Sequence, residues 1–167
     1  MAYALGALLG LGFLALDQWL KAFVSANIPL GQAEALLPGL VELRTVHNYG
    51  AAWSSFSGMR WLLVAVTSCI VLAVLALLVR RFVRHPLGVA AGCLIVSGGL
   101  GNIIDRVRLG YVVDMFNLQF MNYPVFNVAD IAVVSGAVLG AAYYLWFYEK
   151  YDKKGSAHGN SDAASKD

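Results

Sequence analysis

The stretch Trp61 to Phe82 reads WLLVAVTSCIVLAVLALLVRRF and carries no charge before Arg80. A helix needs about 20 apolar residues to cross roughly 30 Å of hydrocarbon, so this stretch predicts a membrane-spanning helix. Across the whole chain of 167 residues, 59% are hydrophobic and 13% are charged. An average soluble domain is about 25% charged. The composition therefore predicts a protein whose main solvent is lipid.

Three further apolar stretches flank this one. They are YALGALLGLGFLALDQWLKAFV at residues 3–24, LGVAAGCLIVSGGLGNII at residues 87–104 and FNVADIAVVSGAVLGAAYYLWFY at residues 126–148. The first has no basic residues ahead of it and is interrupted by Asp17 and Lys21, so we interpret it as a retained span and not as a cleaved signal peptide. The sequence thus predicts an all-α membrane protein with four transmembrane helices in one domain (1–150). The polar tail at 151–167 is predicted to be disordered.

Lysine and arginine are concentrated in two connecting regions. Arg80, Arg81 and Arg84 lie between spans two and three, and Lys150, Lys153 and Lys154 follow span four. Because cytoplasmic loops are enriched in these residues, we expect both termini in the cytoplasm. The outer face then carries two loops, 25–60 and 105–125. In the first loop, VELRTVHN alternates after Pro38-Gly39 and predicts a short strand, so we expect a small extracytoplasmic β-containing region.

Two acids, Asp114 and Asp130, lie in apolar surroundings near the outer end of the predicted bundle, and neither has a Lys or Arg within three positions. The loop between them is long enough to fold back and bring the carboxyl groups together. Two carboxylates that share a site titrate apart, because the charge on one disfavours ionisation of the other. The ionised acid can take a proton from water while the protonated acid bonds a carbonyl oxygen, as in aspartic proteases. The alternative is that both acids merely face solvent at the interface.

Other polar residues gather at the same level. Asparagines offer both donors and an acceptor and are suited to holding a peptide or orienting a carboxyl group. They are Asn48, Asn102 and Asn127. Arg106 can fix a carboxylate or a lipid headgroup, whereas we interpret Asp105 as a structural partner. Asp17 and Lys21 are four residues apart on one predicted helix face, which predicts a supporting ion pair.

Several classes of site and function are disfavoured. His47, His85 and His158 are scattered and form no HExxH pattern, so we predict no metal and no cofactor. The net charge of +2 without a basic stripe argues against nucleic acid. A small transporter or proton relay using the same acids is an alternative, but a relay needs ionisable groups spread across the bilayer. A membrane assembly protein held by the GxxxG of Gly136 and Gly140 leaves the acids unexplained.

Five sequence blocks occur in the order and at roughly the spacing of the bacterial lipoprotein signal peptidases (signal peptidase II), which this chain resembles. The blocks are DQWLK (17–21), HNYGAAW (47–53), GGLGNIIDR (98–106), GYVVDMF (110–116) and VFNVADIAV (125–133). The resemblance implies a four-helix aspartyl endopeptidase of the inner membrane with its active site near the outer face. It also implies a substrate, a diacylglyceryl-modified prolipoprotein that is cut just before its lipidated cysteine.

The resemblance also implies roles for individual residues. The catalytic pair would be Asp114 and Asp130. The supporting or substrate-binding residues would be Asp17, Lys21, Asn48, Gly50, Asn102, Asp105, Arg106 and Asn127. The expected partners are the prolipoprotein and membrane lipids, and we expect a monomer. Two positions depart from the family pattern, with His47 in place of a tyrosine and Trp53 in place of a phenylalanine. The identity of the protonated acid, the preferred substrates and any closure of residues 50–60 are left open.

Overall fold

A computed structural model describes residues 1–51 and 55–153. The helices are α1 (Ala2–Asn27), α2 (Arg60–Val79), α3 (Pro86–Arg108) and α4 (Val128–Trp146), followed by a π-helix (Glu149–Lys153), and the strands are β1 (Ala33–Leu37), β2 (Val41–Asn48) and β3 (Val112–Leu118). All four α-helices are long and apolar enough to cross a membrane. The predicted fold class, a four-helix membrane protein with a small β-containing region, is confirmed.

Several helix ends differ from the predicted spans, including α1, which continues to Asn27, and α4, which extends only from Val128 to Trp146. Helix α2 ends at Val79 and not at residue 82, and Arg81 adopts a left-handed backbone conformation with φ of 55°. Helix α3 continues to Arg108, beyond the predicted end at residue 104. Gly110, with φ of 92°, ends this helix, since a left-handed glycine is a common helix stop. Asp105 and Arg106 therefore project from a regular helix close to its end.

The strands form one antiparallel sheet in the order β1-β2-β3. Strand β2 coincides with the predicted strand VELRTVHN. Strands β1 and β3 lie inside the predicted outer loops, and the sequence did not single them out. In β3, the four consecutive residues from Val112 to Met115 are all buried, so the strand lacks the polar alternation that marks a half-exposed strand. Asp114 thus lies on a strand, opposite Val46, and not in an irregular loop.

The sheet is joined to the end of α1 by an apolar cluster and a hydrogen bond. Val24, Ile28 and Met115 are buried together. The Thr45 hydroxyl lies 2.6 Å from the carbonyl oxygen of Ile28 and donates to it. This bond satisfies a carbonyl group at the helix end that has no partner within the helix. The position of β2 and β3 is therefore fixed relative to the membrane-spanning bundle.

Helix α3 lies at the centre of the bundle and packs against the other three helices. Glycine residues allow the closest approach between α3 and α4. A Cβ atom at Gly98 would lie 2.3 Å from the carbonyl oxygen of Ala129, and one at Gly136 would lie 2.8 Å from that of Ala91. Gly140, the second glycine of the GxxxG pattern, is less constrained, since its nearest neighbour would be at 3.8 Å. The contact at Gly98 places the first turn of α4, which carries Asp130, directly against α3.

The opposite end of the bundle is closed by the π-helix. Its Asp152 is buried and accepts hydrogen bonds from the Tyr143 hydroxyl and, at 3.1 Å, from the backbone N–H of Arg84. The predicted disordered tail begins at residue 151, whereas residues 151–153 belong to this ordered turn. A buried carboxylate with two hydrogen-bond donors explains the difference. Residues 154–167 of the predicted tail lie outside the described residues.

Candidate active site

Asp114 and Asp130 meet where the sheet contacts the ends of α3 and α4. Asp114 projects from β3 and is 3% exposed, while Asp130 lies in the first turn of α4 and is partly exposed. Both acids line one cavity of about 770 Å³. The two residues are 16 positions apart in the chain, and the segment between them folds back across the sheet through the bridge between Phe116 and Phe126. The chain thus brings the two acids to the same cavity.

Asn127 contacts both acids. Its Nδ2 donates to Asp114 Oδ1 at 2.7 Å, and its backbone N–H donates to Asp130 Oδ2 at 3.1 Å. In return, its Oδ1 accepts the backbone N–H of Asp130 at 2.9 Å, which completes a capping box at the start of α4. Asn127, the N-cap of α4, therefore also links the two carboxyl groups.

Two further asparagines complete the ring of donors. Asn102 Nδ2 donates to Asp130 Oδ1 at 2.9 Å, and Asn48 Nδ2 donates to Asp114 Oδ2 at 2.9 Å. Each of the four carboxylate oxygens therefore receives an N–H group. The three asparagines that the sequence placed near the site all bond directly to an acid. Hydrogen bonds of this kind hold a carboxylate in one orientation without neutralising its charge.

Burial and charge act on Asp114 in the same direction. Burial raises the pKa of Asp114 to about 7, and the charge of Asp130 adds to the shift. The hydrogen bonds from Asn48 and Asn127 and the charge of Lys21 oppose it. Asp114 is therefore poised between its protonated and ionised forms near neutral pH, which an acid that donates and recovers a proton requires.

A second layer of charged residues lies behind the acids. Lys21 Nζ lies 2.9 Å from Asp17 Oδ2, as the spacing predicted, and 3.0 Å from Asp105 Oδ2. Gln18, which the sequence analysis missed, donates to both Asp17 and Asp105. Gly101 leaves the room for this cluster, since a Cβ atom there would lie 2.6 Å from Asp17 Oδ2.

Both carboxylates of this layer also bond to the backbone next to an acid of the site. Asp105 Oδ2 accepts the N–H of Val113, which precedes Asp114, at 3.1 Å. Asp17 Oδ1 accepts the N–H of Ala129, which precedes Asp130, at 2.8 Å. The layer therefore fixes the backbone that carries each acid.

Arg106 holds the loop that follows β2. Its Nη2 donates to the carbonyl oxygen of Gly50 at 2.7 Å. Gly50 N in turn donates to Asn48 Oδ1 at 2.9 Å, so this residue is fixed from both sides. We expected Arg106 to bind a carboxylate or a headgroup, but in the structure its short hydrogen bond is to a carbonyl group. Nearby, His47 stacks on Tyr111 with ring centroids 3.8 Å apart. Trp53 lies outside the described residues.

The cavity has a polar floor and apolar walls. The acids, Asn48, Asn102 and Arg106 form the floor. The walls come from three helices: Leu63, Thr67, Ile70 and Val71 of α2, Ile95 and Gly99 of α3, and Val133 and Val134 of α4. Within residues 1–51 and 55–153, no group of three or more His, Cys, Asp or Glu side chains could hold a metal ion. The arrangement suits a ligand with an apolar chain and one polar bond that reaches the two carboxyl groups.

Known proteins resemble this chain in both sequence and fold. The sequence profile described as Signal peptidase (SPase) II matches residues 9–146. The lipoprotein signal peptidase of Lactococcus lactis subsp. lactis is 42% identical over 123 residues, which cover 74% of this chain and 81% of the relative. That of Enterococcus faecalis is 39% identical over 140 residues, 84% of this chain and 86% of the relative. A solved structure described as a bacterial membrane enzyme is similar with a TM-score of 0.81 at 26% identity, covering 85% of this chain and 88% of that one.

Proposed function

Because the chain belongs to the signal peptidase II family, we propose that it removes the signal peptide from prolipoproteins by aspartic-protease chemistry at Asp114 and Asp130. The observation that carries this proposal is the placement of two carboxyl groups on one cavity, both bonded to Asn127. Paired acids hydrolyse amides without a nucleophilic side chain. The family assignment does not favour the alternative of a transporter or proton relay.

In the proposed reaction, the scissile carbonyl group lies between the two acids and a water molecule lies beside it. Asp130, in the ionised form, takes a proton from the water as the water oxygen attacks the carbonyl carbon. Asp114, in the protonated form, donates to the carbonyl oxygen and a tetrahedral diol forms. Asp130 then gives its proton to the leaving amine nitrogen and the C–N bond breaks. One hydroxyl of the diol returns a proton to Asp114 as the carboxylic acid product forms, so the pair again holds one proton.

The roles of the two acids are assigned from their surroundings. Asp130 lies in the first turn of α4 and accepts a backbone N–H there, and a helix N-terminus favours negative charge. Asp114 lies on a strand, is almost fully buried, and has a pKa raised to about 7. We therefore assign the base to Asp130 and the acid to Asp114.

The apolar walls support a lipid-bearing substrate. We propose that the substrate carries a diacylglyceryl group on the cysteine that follows the cut, and that its acyl chains remain in the bilayer or against α2 and α4. Apolar burial contributes ~0.8 kcal/mol per CH₂ group, so two acyl chains hold the substrate in the bilayer, where its scissile bond can reach the cavity. The site is proposed to lie at the outer face of the inner membrane, with both termini in the cytoplasm and the protein active as a monomer.

The test is cleavage of a purified diacylglyceryl-prolipoprotein in detergent micelles. Asp114→Asn and Asp130→Asn are each expected to lower the rate by ~10³-fold or more, since removal of one member disables the whole unit. Glu42→Gln is the matched control, because Glu42 lies on β2, accepts a hydrogen bond from Asn117 and forms an ion pair with Arg44 of the same sheet. Near-normal cleavage by either Asn variant would rule out the proposed function. Cleavage of an unlipidated substrate at the same rate would rule out the lipid requirement.

A further inference from the structure

Each of the three asparagines of the site can point only its NH₂ group, and not its amide oxygen, toward an acid. An amide side chain has an oxygen that accepts and an NH₂ group that donates, and its orientation follows from its partners. Asn48 Oδ1 faces the N–H of Gly50, and Asn127 Oδ1 faces the N–H of Asp130, each at 2.9 Å. Neither backbone group can accept a hydrogen bond from a side chain. Both amides must therefore turn their NH₂ groups toward a carboxylate.

The orientation of the Asn102 amide is set by side chains and not by backbone N–H groups. Its Oδ1 accepts from Lys21 Nζ at 3.0 Å and from Asn127 Nδ2 at 3.2 Å. The Asn127 amide also donates to Asp114 at the shorter distance of 2.7 Å. The ammonium is thus the closer donor to Asn102, and it is the charged one, which makes its hydrogen bond the stronger of the two. It is also a donor that a single side-chain substitution can remove.

All three N–H groups of the Lys21 ammonium have partners. They are Asp17 Oδ2 at 2.9 Å, Asp105 Oδ2 at 3.0 Å and Asn102 Oδ1 at 3.0 Å. Two carboxylates would be enough for a buried ion pair of purely structural value. The third bond points toward the site and ends on the amide whose Nδ2 donates to Asp130 at 2.9 Å. The side chain of Lys21 is 4% exposed, so water does not compete for these bonds.

On the basis of the proposed function, we propose that Lys21 is a positioning residue that acts through Asn102. Its ammonium orients the Asn102 amide so that the NH₂ group faces Asp130, and it thereby holds Asp130 in the geometry required to take a proton from water. The charged groups around this chain of bonds are Asp17 on α1, Asp105 and Arg106 on α3, and Asp114 on β3. Lys21 itself does not line the cavity. Its loss should therefore affect turnover and leave substrate binding nearly intact.

The experiment is a double-mutant cycle on the full chain, with kcat and KM measured on diacylglyceryl-prolipoprotein. Lys21→Met is expected to lower kcat by ~10²-fold, with KM changed by less than about threefold, as for loss of one preorganised donor. Asn102→Ala is expected to give a similar loss. Because both remove the same chain of bonds, the double variant should lose little more than the larger single loss.

A purely structural role predicts a different pattern. Removing Lys21 leaves Asp17 and Asp105 uncompensated, so the cycle is repeated in the charge-balanced background Asp17→Asn, where the new amide oxygen can still accept the N–H of Ala129. The inference is overturned if Lys21→Met does not lower turnover relative to the parent protein in which it is made. It is also overturned if the fold losses in turnover of Lys21→Met and Asn102→Ala multiply in the double variant. Wild-type turnover in Lys21→Met together with an inactive Asp130→Asn would overturn this inference alone. An active Asp130→Asn would instead overturn the proposed function.

Discussion

The carboxylate of Asp17 accepts a 2.8 Å hydrogen bond from the backbone N–H of Ala129, the residue immediately before Asp130. A side chain of the first helix thus satisfies one of the free N–H groups at the start of the fourth. The same carboxylate pairs with Lys21. One acid therefore couples the ion pair behind the site to the backbone that carries the proposed base.

This coupling predicts a difference between two substitutions of Asp17. Asp17→Ala leaves the Ala129 N–H and part of the Lys21 ammonium without a partner, and is expected to destabilise the protein by ~2–4 kcal/mol. Asp17→Asn keeps an acceptor for Ala129 and should cost markedly less. Reversible unfolding in mixed micelles measures both. Equal losses for the two variants would contradict the role of the hydrogen bond.

Asn127 has two functions that a serine can separate. Serine caps helices about as well as asparagine, so Asn127→Ser should change stability by less than ~1 kcal/mol. It has no NH₂ group for Asp114, and turnover is expected to fall by ~10²-fold. Asn117→Ser is the matched control, because Asn117 lies on β3 and donates to Glu42 of the sheet. Full turnover in Asn127→Ser would show that the link between the acids is dispensable.

The raised pKa of Asp114 makes stability depend on pH. The pKa in the folded state is about 7, whereas an unperturbed aspartate titrates near pH 4. The folded state therefore keeps a proton that the unfolded chain has lost, and stability falls as the pH rises between these values. Between pH 5 and pH 7 the wild type should lose ~2–3 kcal/mol more than Asp114→Asn, which cannot titrate there.

The same titration governs activity. If Asp114 must carry the proton, cleavage should decline as the pH rises through about 7. The wild type and Glu42→Gln should share this decline. A rate that increases steadily up to pH 9 would be inconsistent with Asp114 as the acid, even if both acids proved essential.

The close contact of α3 with α4 predicts a contrast between two glycines. Gly98→Ala places a Cβ atom 2.3 Å from the carbonyl oxygen of Ala129, so the first turn of α4 must move. We expect a loss of ~1–3 kcal/mol in stability together with a loss of turnover. Gly140→Ala introduces the same methyl group where the nearest atom is 3.8 Å away and should leave both unchanged. Thermal unfolding and cleavage rates of the two variants test the contrast.

Much of the fold was accessible from sequence because its signals are local. Four long apolar runs predict four spans, and alternation within one loop predicts β2. The approximate place of Asp114 and Asp130 followed from the cost of unpaired acids among apolar residues. Strand β3 was missed because burial of both its faces removes the alternating pattern on which such a prediction depends.

Long-range polar contacts account for most of what was missed in the site. Gln18 bonds to Asp105, which is 87 positions away, and nothing in its local sequence indicates this. The link formed by Asn127 did have a local signal, because Asn127-x-x-Asp130 is a capping-box pattern just ahead of an apolar run. That pattern places the fourth helix and the proposed base together, but the bond to Asp114 depends on the fold.

We propose that Asp114 and Asp130 share one proton near neutral pH, and infrared spectroscopy of the carboxyl groups can detect this proton. At pH 6 the wild type should show the absorption of one buried protonated carboxylic acid, which disappears on titration through about pH 7. This absorption should be absent from Asp114→Asn and unchanged in Glu42→Gln. If the signal persists undiminished in Asp114→Asn, or if the wild type shows both acids ionised at pH 6, the account of the paired acids is wrong.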